Sequence, residues 1–490
     1  MSRQHAEPAL HLERGNGTPL PLQLASALRT AVADGSLTPG DRLPSSRVLA
    51  AQLGVGRSVV TDAYQQLYAE GWLEGRHGSG TFVAPGAAPA PSEPAAIEPA
   101  WRTAAARSGR TVPEERPTRS ELRGLGLIDL RPGAPWVESV DRAAWRRAWR
   151  AAADLPQDDD PDPRGLPRLR TLLAEHLRRH RGIAVGPENV LVTRGTGNGL
   201  DLAGASLIAP GDRVGVEEPG YGKARTVLAA RGARIVPCPV DGDGLVVDDL
   251  PEGLGLVYTT PAHQYPLGGR LPVPRRELLI SWARATGAVV IEDDYDAEFR
   301  YDVAPLPALY GMDPGRVVLL GTLSKTLTPD LGIGWIVAEP ELVEYLARVR
   351  SDLTDRTPGP VQAATALLLE RGDLGRHLRR MRAEYARRRA LLIEHLGPRL
   401  AGDTAGLHVM LPLPAQEVAP VAAEAAAHGV VVDDTGRTSH GAPTVHGLIL
   451  GYGSVSPSKL RRGCAVLAAI LDRRLGPARS RPGSGDLPGR

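Results

Sequence analysis

The chain has 490 residues, 42% of them hydrophobic and 23% charged, with a formal net charge of +2. That length exceeds one ordinary domain and calls for two or three, at about 100–200 residues each. The near-neutral balance argues neither for nor against a nucleic-acid partner, and no apolar run approaches the ~18 residues of a membrane-spanning helix. Cys238 and Cys464 fit no motif spacing, as in proteins of a reducing compartment. With no apolar leader segment at the N-terminus, the expectation is a soluble, cytoplasmic protein with no membrane partner.

In chain order, residues 1–84 read as one compact unit. Residues 85–121 read as a semi-rigid, extended linker, because positions 85–120 hold seven prolines and nine alanines without hydrophobic periodicity. From 122 to 475, short β-branched runs alternate with amphipathic helices. The tail, 476–490, reads as disordered. The expected class is α/β.

Within the first unit, Leu24, Leu28 and Val32 share one helical face, and Gly35 ends that helix. A Pro39-Gly40 turn follows. Ser45 is the candidate N-cap of a second helix, which carries Val48, Leu49 and Leu53 and stops at Gly54. A third helix begins near Gly56 and runs through Arg57-Ser58-Val59-Val60 to Leu67. Two short helices joined by a tight turn make a helix-turn-helix, whose second helix enters the major groove of DNA by its N-terminus. Two strands around Leu73 and Phe82, joined by Arg76-His77-Gly78-Ser79-Gly80, add a glycine-rich wing.

The run Gly40-Asp41-Arg42-Leu43-Pro44-Ser45-Ser46-Arg47, with Leu53-Gly54-Val55, Ala63-Tyr64 and Gly78-Ser79-Gly80-Thr81-Phe82-Val83, resembles the GntR-family winged helix. The resemblance implies that double-stranded DNA, at a promoter, meets Ser45, Arg47, Arg57, Ser58, His77 and Gly78. Gly56 stands where that family usually has serine, and glycine still serves as an N-cap. The unit holds seven arginines against seven acidic residues. A phosphate-binding face must therefore come from the placement of Arg42, Arg47, Arg57 and Arg76.

The larger region is marked by its use of lysine. The chain has three lysines, Lys223, Lys325 and Lys459, against 55 arginines. Only a primary amine forms an imine with an aldehyde; a guanidinium cannot. Lys325 follows the apolar run Val317–Leu320 as Ser324-Lys325. Other strands also end in chemistry, and open α/β sheets bind ligands outside the carboxyl ends of their strands. One runs into Gly195-Thr196-Gly197, whose free N–H groups at a helix start can hold an anion. A second leads to Tyr221, a third to His263, and a fourth to Asp293 and Tyr295. A pyridoxal phosphate site needs an anion cradle, a stacking ring, a carboxylate for the ring nitrogen, a hydroxyl for the phenolate and an imine lysine.

This region resembles the fold-type I, pyridoxal 5′-phosphate (PLP)-dependent aminotransferases, which implies a large α/β domain with a smaller C-terminal α+β subdomain. The runs Glu292-Asp293-Asp294-Tyr295-Asp296-Ala297-Glu298-Phe299-Arg300 and Pro261-Ala262-His263-Gln264-Tyr265-Pro266 are similar to those of the MocR/GabR/PdxR-type regulators. Those fuse a GntR winged helix to an aminotransferase-like domain. The resemblance implies that Lys325 carries the cofactor, Asp293 faces the pyridine nitrogen, Tyr295 approaches the phenolate and Tyr221 stacks. It places Gly195, Thr196, Gly197, Ser324 and His263 around them, and it implies a homodimer. No catalytic residue and no metal ligand is assigned.

Three departures from the family pattern bear on ligand binding. Gly332 stands where the family has an arginine on the phosphate, and Arg194 is the candidate substitute. Lys223 stands two residues after Tyr221, where some members carry arginine. Leu448-Ile449-Leu450-Gly451-Tyr452 lacks the arginine that aminotransferases often use for a substrate carboxylate. The expectation is a transcriptional regulator that senses PLP, or an amine or amino-acid adduct of it. The alternatives are an aminotransferase with an added DNA-binding domain and a regulator whose site no longer takes the cofactor.

Overall fold

The computed structural model describes residues 10–76, 79–87, 100–107, 116–301, 306–402 and 404–477. The chain divides into two compact units, Met1–Glu115 and Arg116–Arg490.

In the first unit, α1 (Leu20–Ala33), α2 (Ser46–Leu53) and α3 (Arg57–Ala69) pack around Leu24, Leu28, Val32, Leu49, Val60 and Leu67. Ser45 caps α2 by accepting from the Val48 N–H at 3.3 Å, a contact of about 1 kcal/mol. The Tyr64 hydroxyl reaches back from α3 to the Pro44 carbonyl at 2.9 Å, which fixes the angle between the two helices. Strands β1 (Leu73–Arg76) and β2 (Gly80–Val83) pair antiparallel, with Leu73 opposite Val83. Within 85–121, expected to run extended, a helix forms at Ala100–Arg107, where the sequence is proline-free and alanine-rich. A second helix, Arg119–Gly124, starts on a capping box of Thr118 and Glu121. The tail proposed as disordered lies, from 478 on, outside the described residues.

The second unit is built on an eight-stranded sheet. Its spatial order is Val190–Thr193, Gly334–Val337, Val317–Thr322, Val289–Asp294, Leu256–Thr259, Arg213–Glu218, Arg234–Asp241 and Gly244–Leu245. Gly334–Val337 runs antiparallel to both its neighbours, the short edge strand Gly244–Leu245 is antiparallel to Arg234–Asp241, and the other pairings are parallel. Both faces are buried, so the strands read as continuous apolar runs, while alternation along each strand still sorts its side chains into two cores. Leu191, Ile291, Val318, Leu320 and Ile336 pack on Leu200 and Ala203, Leu228, and Val343 and Leu346 of three covering helices. Val190, Val192, Val257, Val290, Val317 and Leu319 face the other way, onto Leu173, Leu177, Leu279 and Leu367.

A three-stranded antiparallel sheet, in the order His408–Pro412, Gly447–Gly451, Asp433–Asp434, forms the smaller C-terminal subdomain with helices Asp373–Leu396, Ala415–Ala427 and Pro457–Leu475. Ile128–Asp129 pairs with Val430–Val431, bringing the start of this unit beside its end. Among the described residues, no helix is long and apolar enough to cross a membrane.

Candidate functional site

The carboxyl ends of the parallel strands open onto a cavity of about 370 Å³. Lys325, Asp293, Tyr295, Tyr221 and Thr196 all line it, joined by Tyr258, Lys223, Arg119, Gly133 and His408.

Strand alternation selects which acid of Glu292-Asp293-Asp294 faces the cavity. Glu292 turns to the opposite face and accepts the backbone N–H groups of Leu309 and Tyr310. Asp294 pairs with buried Arg181 at 2.7 Å. Asp293, between them, points to the cavity side, where Tyr258 donates to its Oδ2 at 2.6 Å. Burial pushes the Asp293 carboxyl up to about 7, against the Tyr258 hydrogen bond. Its Oδ1 is buried with no hydrogen-bond partner among the described residues. A protonated pyridine nitrogen would supply the donor that this oxygen lacks.

Lys325 leaves the sheet just after Val317–Thr322. Its Nζ donates to the Gly133 carbonyl oxygen at 2.5 Å. Burial, with Lys223 and Arg119 nearby, brings the amine down to about 8, so a far larger share is neutral near physiological pH than for an ordinary lysine. Tyr221 stands edge-on to Tyr265, with ring centroids 6.0 Å apart. The Tyr295 hydroxyl donates to the His263 carbonyl oxygen at 2.9 Å.

Gly195 precedes the helix Thr196–Leu207, whose first-turn N–H groups have no intrahelical acceptor. The Thr322 and Ser324 hydroxyls bond each other at 3.0 Å and lie beside Gly195. Together they make an anion cradle of helix start and hydroxyls. The donor set fits PLP, with Lys325 for the aldehyde, Asp293 for the ring nitrogen and this cradle for the phosphate.

Several expectations are revised. His263 does not line the cavity; it lies one layer behind, under Tyr295, with Nδ1 3.0 Å from Asp296 Oδ2. Arg194, the candidate substitute on the phosphate, is half exposed and pairs with Asp355 at 2.6 Å. Asp355 also accepts from Asn198 and lies 3.3 Å from buried Arg350, and Arg194 is not among the residues that line the cavity. Gly332 sits at φ +55° with nothing within 4 Å of the position a Cβ would take.

Sequence reasoning missed Tyr258, Gly133, Arg119 and His408. Tyr258 looks like one more apolar strand residue, and only its register beside Asp293 reveals its role. Arg119 and Gly133 precede the sheet by many residues. Arg119 is fixed by Asp129 at 2.9 Å and by the carbonyls of Arg131 and Pro132.

On the first unit, Ser45, Arg47, Arg57 and Ser58 are all exposed at the N-terminal ends of α2 and α3. Arg57 Nε donates to Ser46 Oγ at 3.3 Å, bridging the two helices. A shallow recess lined by Arg42, Ser45, Ser46, Thr61, Tyr68 and Gly80 lies between them and β2. Arg76 lies over the Phe82 ring at 4.8 Å. His77 and Gly78 lie outside the described residues.

Comparison with known proteins follows this division. Residues 20–83 match the family of bacterial regulatory proteins, gntR family, and residues 139–443 match aminotransferase class I and II. The chain is 38% identical over 460 residues to the HTH-type pyridoxine biosynthesis transcriptional regulator PdxR of Corynebacterium glutamicum, covering 93% of this chain and 96% of that one. It is 35% identical over 483 residues to the probable rhizopine catabolism regulatory protein MocR of Rhizobium meliloti, covering 94% and 96%. Among solved structures, an archaeal alanine:glyoxylate aminotransferase matches with TM-score 0.68 and 29% identity, covering 73% of this chain and 94% of that one. A winged helix of one family thus precedes a sheet domain of the other, in the order and over the length seen in these regulators. The chain belongs to the MocR/PdxR-type regulators, which join a GntR-family winged helix to a class I and II aminotransferase-like domain.

Proposed function

We propose that this protein is a cytoplasmic transcriptional regulator that binds promoter DNA through residues 20–83 and binds PLP, or an amine or amino-acid adduct of it, through the cavity at Lys325. The observation that carries the reading is the convergence of Lys325, Asp293, Tyr221 and Tyr295 on one cavity in a chain that begins with a winged helix. PLP, when bound, supplies an aldehyde for an amine and an electron-withdrawing ring. The protein's residues supply the rest. Lys325 offers a partly neutral amine, Asp293 offers an unpartnered carboxylate oxygen, and Tyr295 offers a hydroxyl already oriented by His263. Thr196 and its neighbours offer backbone N–H groups to an anion. Fold-type I proteins are commonly dimers, and two winged helices would read two half-sites on the DNA.

The alternative is an enzyme. Leu448–Tyr452 lacks an arginine for a substrate carboxylate, which favours sensing over turnover. Two measurements test the reading. Borohydride reduction of protein loaded with PLP should fix the pyridoxyl group on Lys325 and not on Lys223 or Lys459. The affinity of the full-length protein for its own promoter region should change on loading. Labelling at another lysine sinks the site, unchanged DNA affinity sinks the sensing, and steady transamination of a common amino acid supports the enzyme.

A further inference from the structure

At the cavity wall, three metal-ligating side chains meet from distant parts of the chain. His263, Asp296 and His408 are only 2%, 2% and 3% exposed. They follow the strand Leu256–Thr259, follow the strand Val289–Asp294, and open the strand His408–Pro412 respectively. One donor atom from each lies within 4.8 Å of the other two. His263 Nδ1 is 3.0 Å from Asp296 Oδ2, and the rings of His263 and His408 lie 4.5 Å apart.

The hydrogen bonding leaves lone pairs bare. His408 Nε2 is buried with no hydrogen-bond partner among the described residues. His263 Nε2 and Asp296 Oδ1 are likewise buried and unpartnered among the described residues. Polar atoms buried without partners are costly, and a cation that they ligate offsets that cost. Gly406 packs closely on this pair, since a Cβ there would sit 2.0 Å from His263 and 2.7 Å from Asp296. The two free cysteines, Cys238 and Cys464, are not part of the group.

We propose that His263, Asp296 and His408 form a site for one divalent transition-metal ion of the zinc class. Two imidazoles and a carboxylate suit zinc, cobalt or nickel; calcium and magnesium prefer all-oxygen shells. Three protein ligands leave a fourth position open, the pattern of a reactive or exchangeable site rather than a closed structural one. Asp296 and His408 also line the cavity, and Tyr295 bonds the His263 carbonyl, so the ion would stiffen the wall against which the cavity's ligand rests. The site does not require PLP.

The test uses full-length protein stripped with a chelator and kept free of PLP. Cobalt(II) titration, followed by visible absorption, should show one ion per chain, displaced by zinc. His408→Gln and Asp296→Asn, checked for folding by thermal melting, should each weaken binding at least ~10-fold. His180→Gln, which removes a histidine from the separate His176–His180 stack, should leave it unchanged. X-ray absorption of the zinc-loaded wild type should show two imidazoles in a nitrogen and oxygen shell, whether or not the variants fold. No cobalt spectrum, retained affinity in both ligand variants, or a shell without imidazole overturns the proposal. PLP binding, measured separately by its own absorption, is unaffected by that failure.

Discussion

Tyr258 donates its hydroxyl hydrogen to Asp293 at 2.6 Å, across two neighbouring parallel strands. The bond orients the carboxylate and leaves its other oxygen for a ligand. It also partly offsets the burial that raises the Asp293 carboxyl to about 7. Asp293→Asn should weaken PLP binding by roughly 10- to 100-fold, the equivalent of losing a charge-assisted hydrogen bond of about 1.5–3 kcal/mol. In wild type, affinity should fall as pH drops below about 7, because the carboxyl then takes up a proton and no longer pairs with a protonated ring. Tyr258→Phe should move that fall to higher pH, since the bond it removes stabilises the ionised form. Absorbance titration across pH reads both effects.

The rate of attachment at Lys325 should rise with pH. The amine is held near 8, and only its neutral form attacks an aldehyde. Below that value the rate should rise about tenfold per pH unit, and above it the rate should level off. Stopped-flow absorbance measures this. Lys325→Arg should abolish attachment while keeping the positive charge.

Arg194 is tied to Asp355, so Arg194→Ala should leave PLP affinity within about twofold of wild type, inside the ~0.5 kcal/mol expected of substitutions away from a site. Gly332 has open space around it, and an arginine there should tighten the grip on the phosphate. The left-handed backbone at Gly332 would cost that variant about 1–2 kcal/mol of stability. Binding titration and thermal melting of Gly332→Arg should therefore move in opposite directions.

Arg57, exposed at the start of α3, should cost about 1–3 kcal/mol of promoter affinity when changed to alanine, if it reads a base edge. Arg47→Ala should weaken all DNA about equally and lower the salt slope by about 1, as for a phosphate contact. Mobility-shift titrations with promoter and scrambled DNA at several salt concentrations separate the two roles.

The winged helix was legible in the sequence because its signals are local. Ser45 caps, Gly54 stops, and the apolar positions of α1 and α3 repeat at helical spacing. Lys325, Asp293, Tyr295 and Tyr221 were legible for a related reason: each follows a short apolar strand, and parallel strands deliver their carboxyl ends to one edge. Which neighbours complete the cavity depended on tertiary structure. Register brings Tyr258 beside Asp293. The fold carries Gly133 to Lys325 across 192 positions. Asp355 pairs with Arg194, and the C-terminal subdomain brings His408 against His263 and Asp296. Spacing along a chain reports contacts within an element, where geometry is periodic. Contacts between elements depend on how cores pack, and no local pattern encodes them.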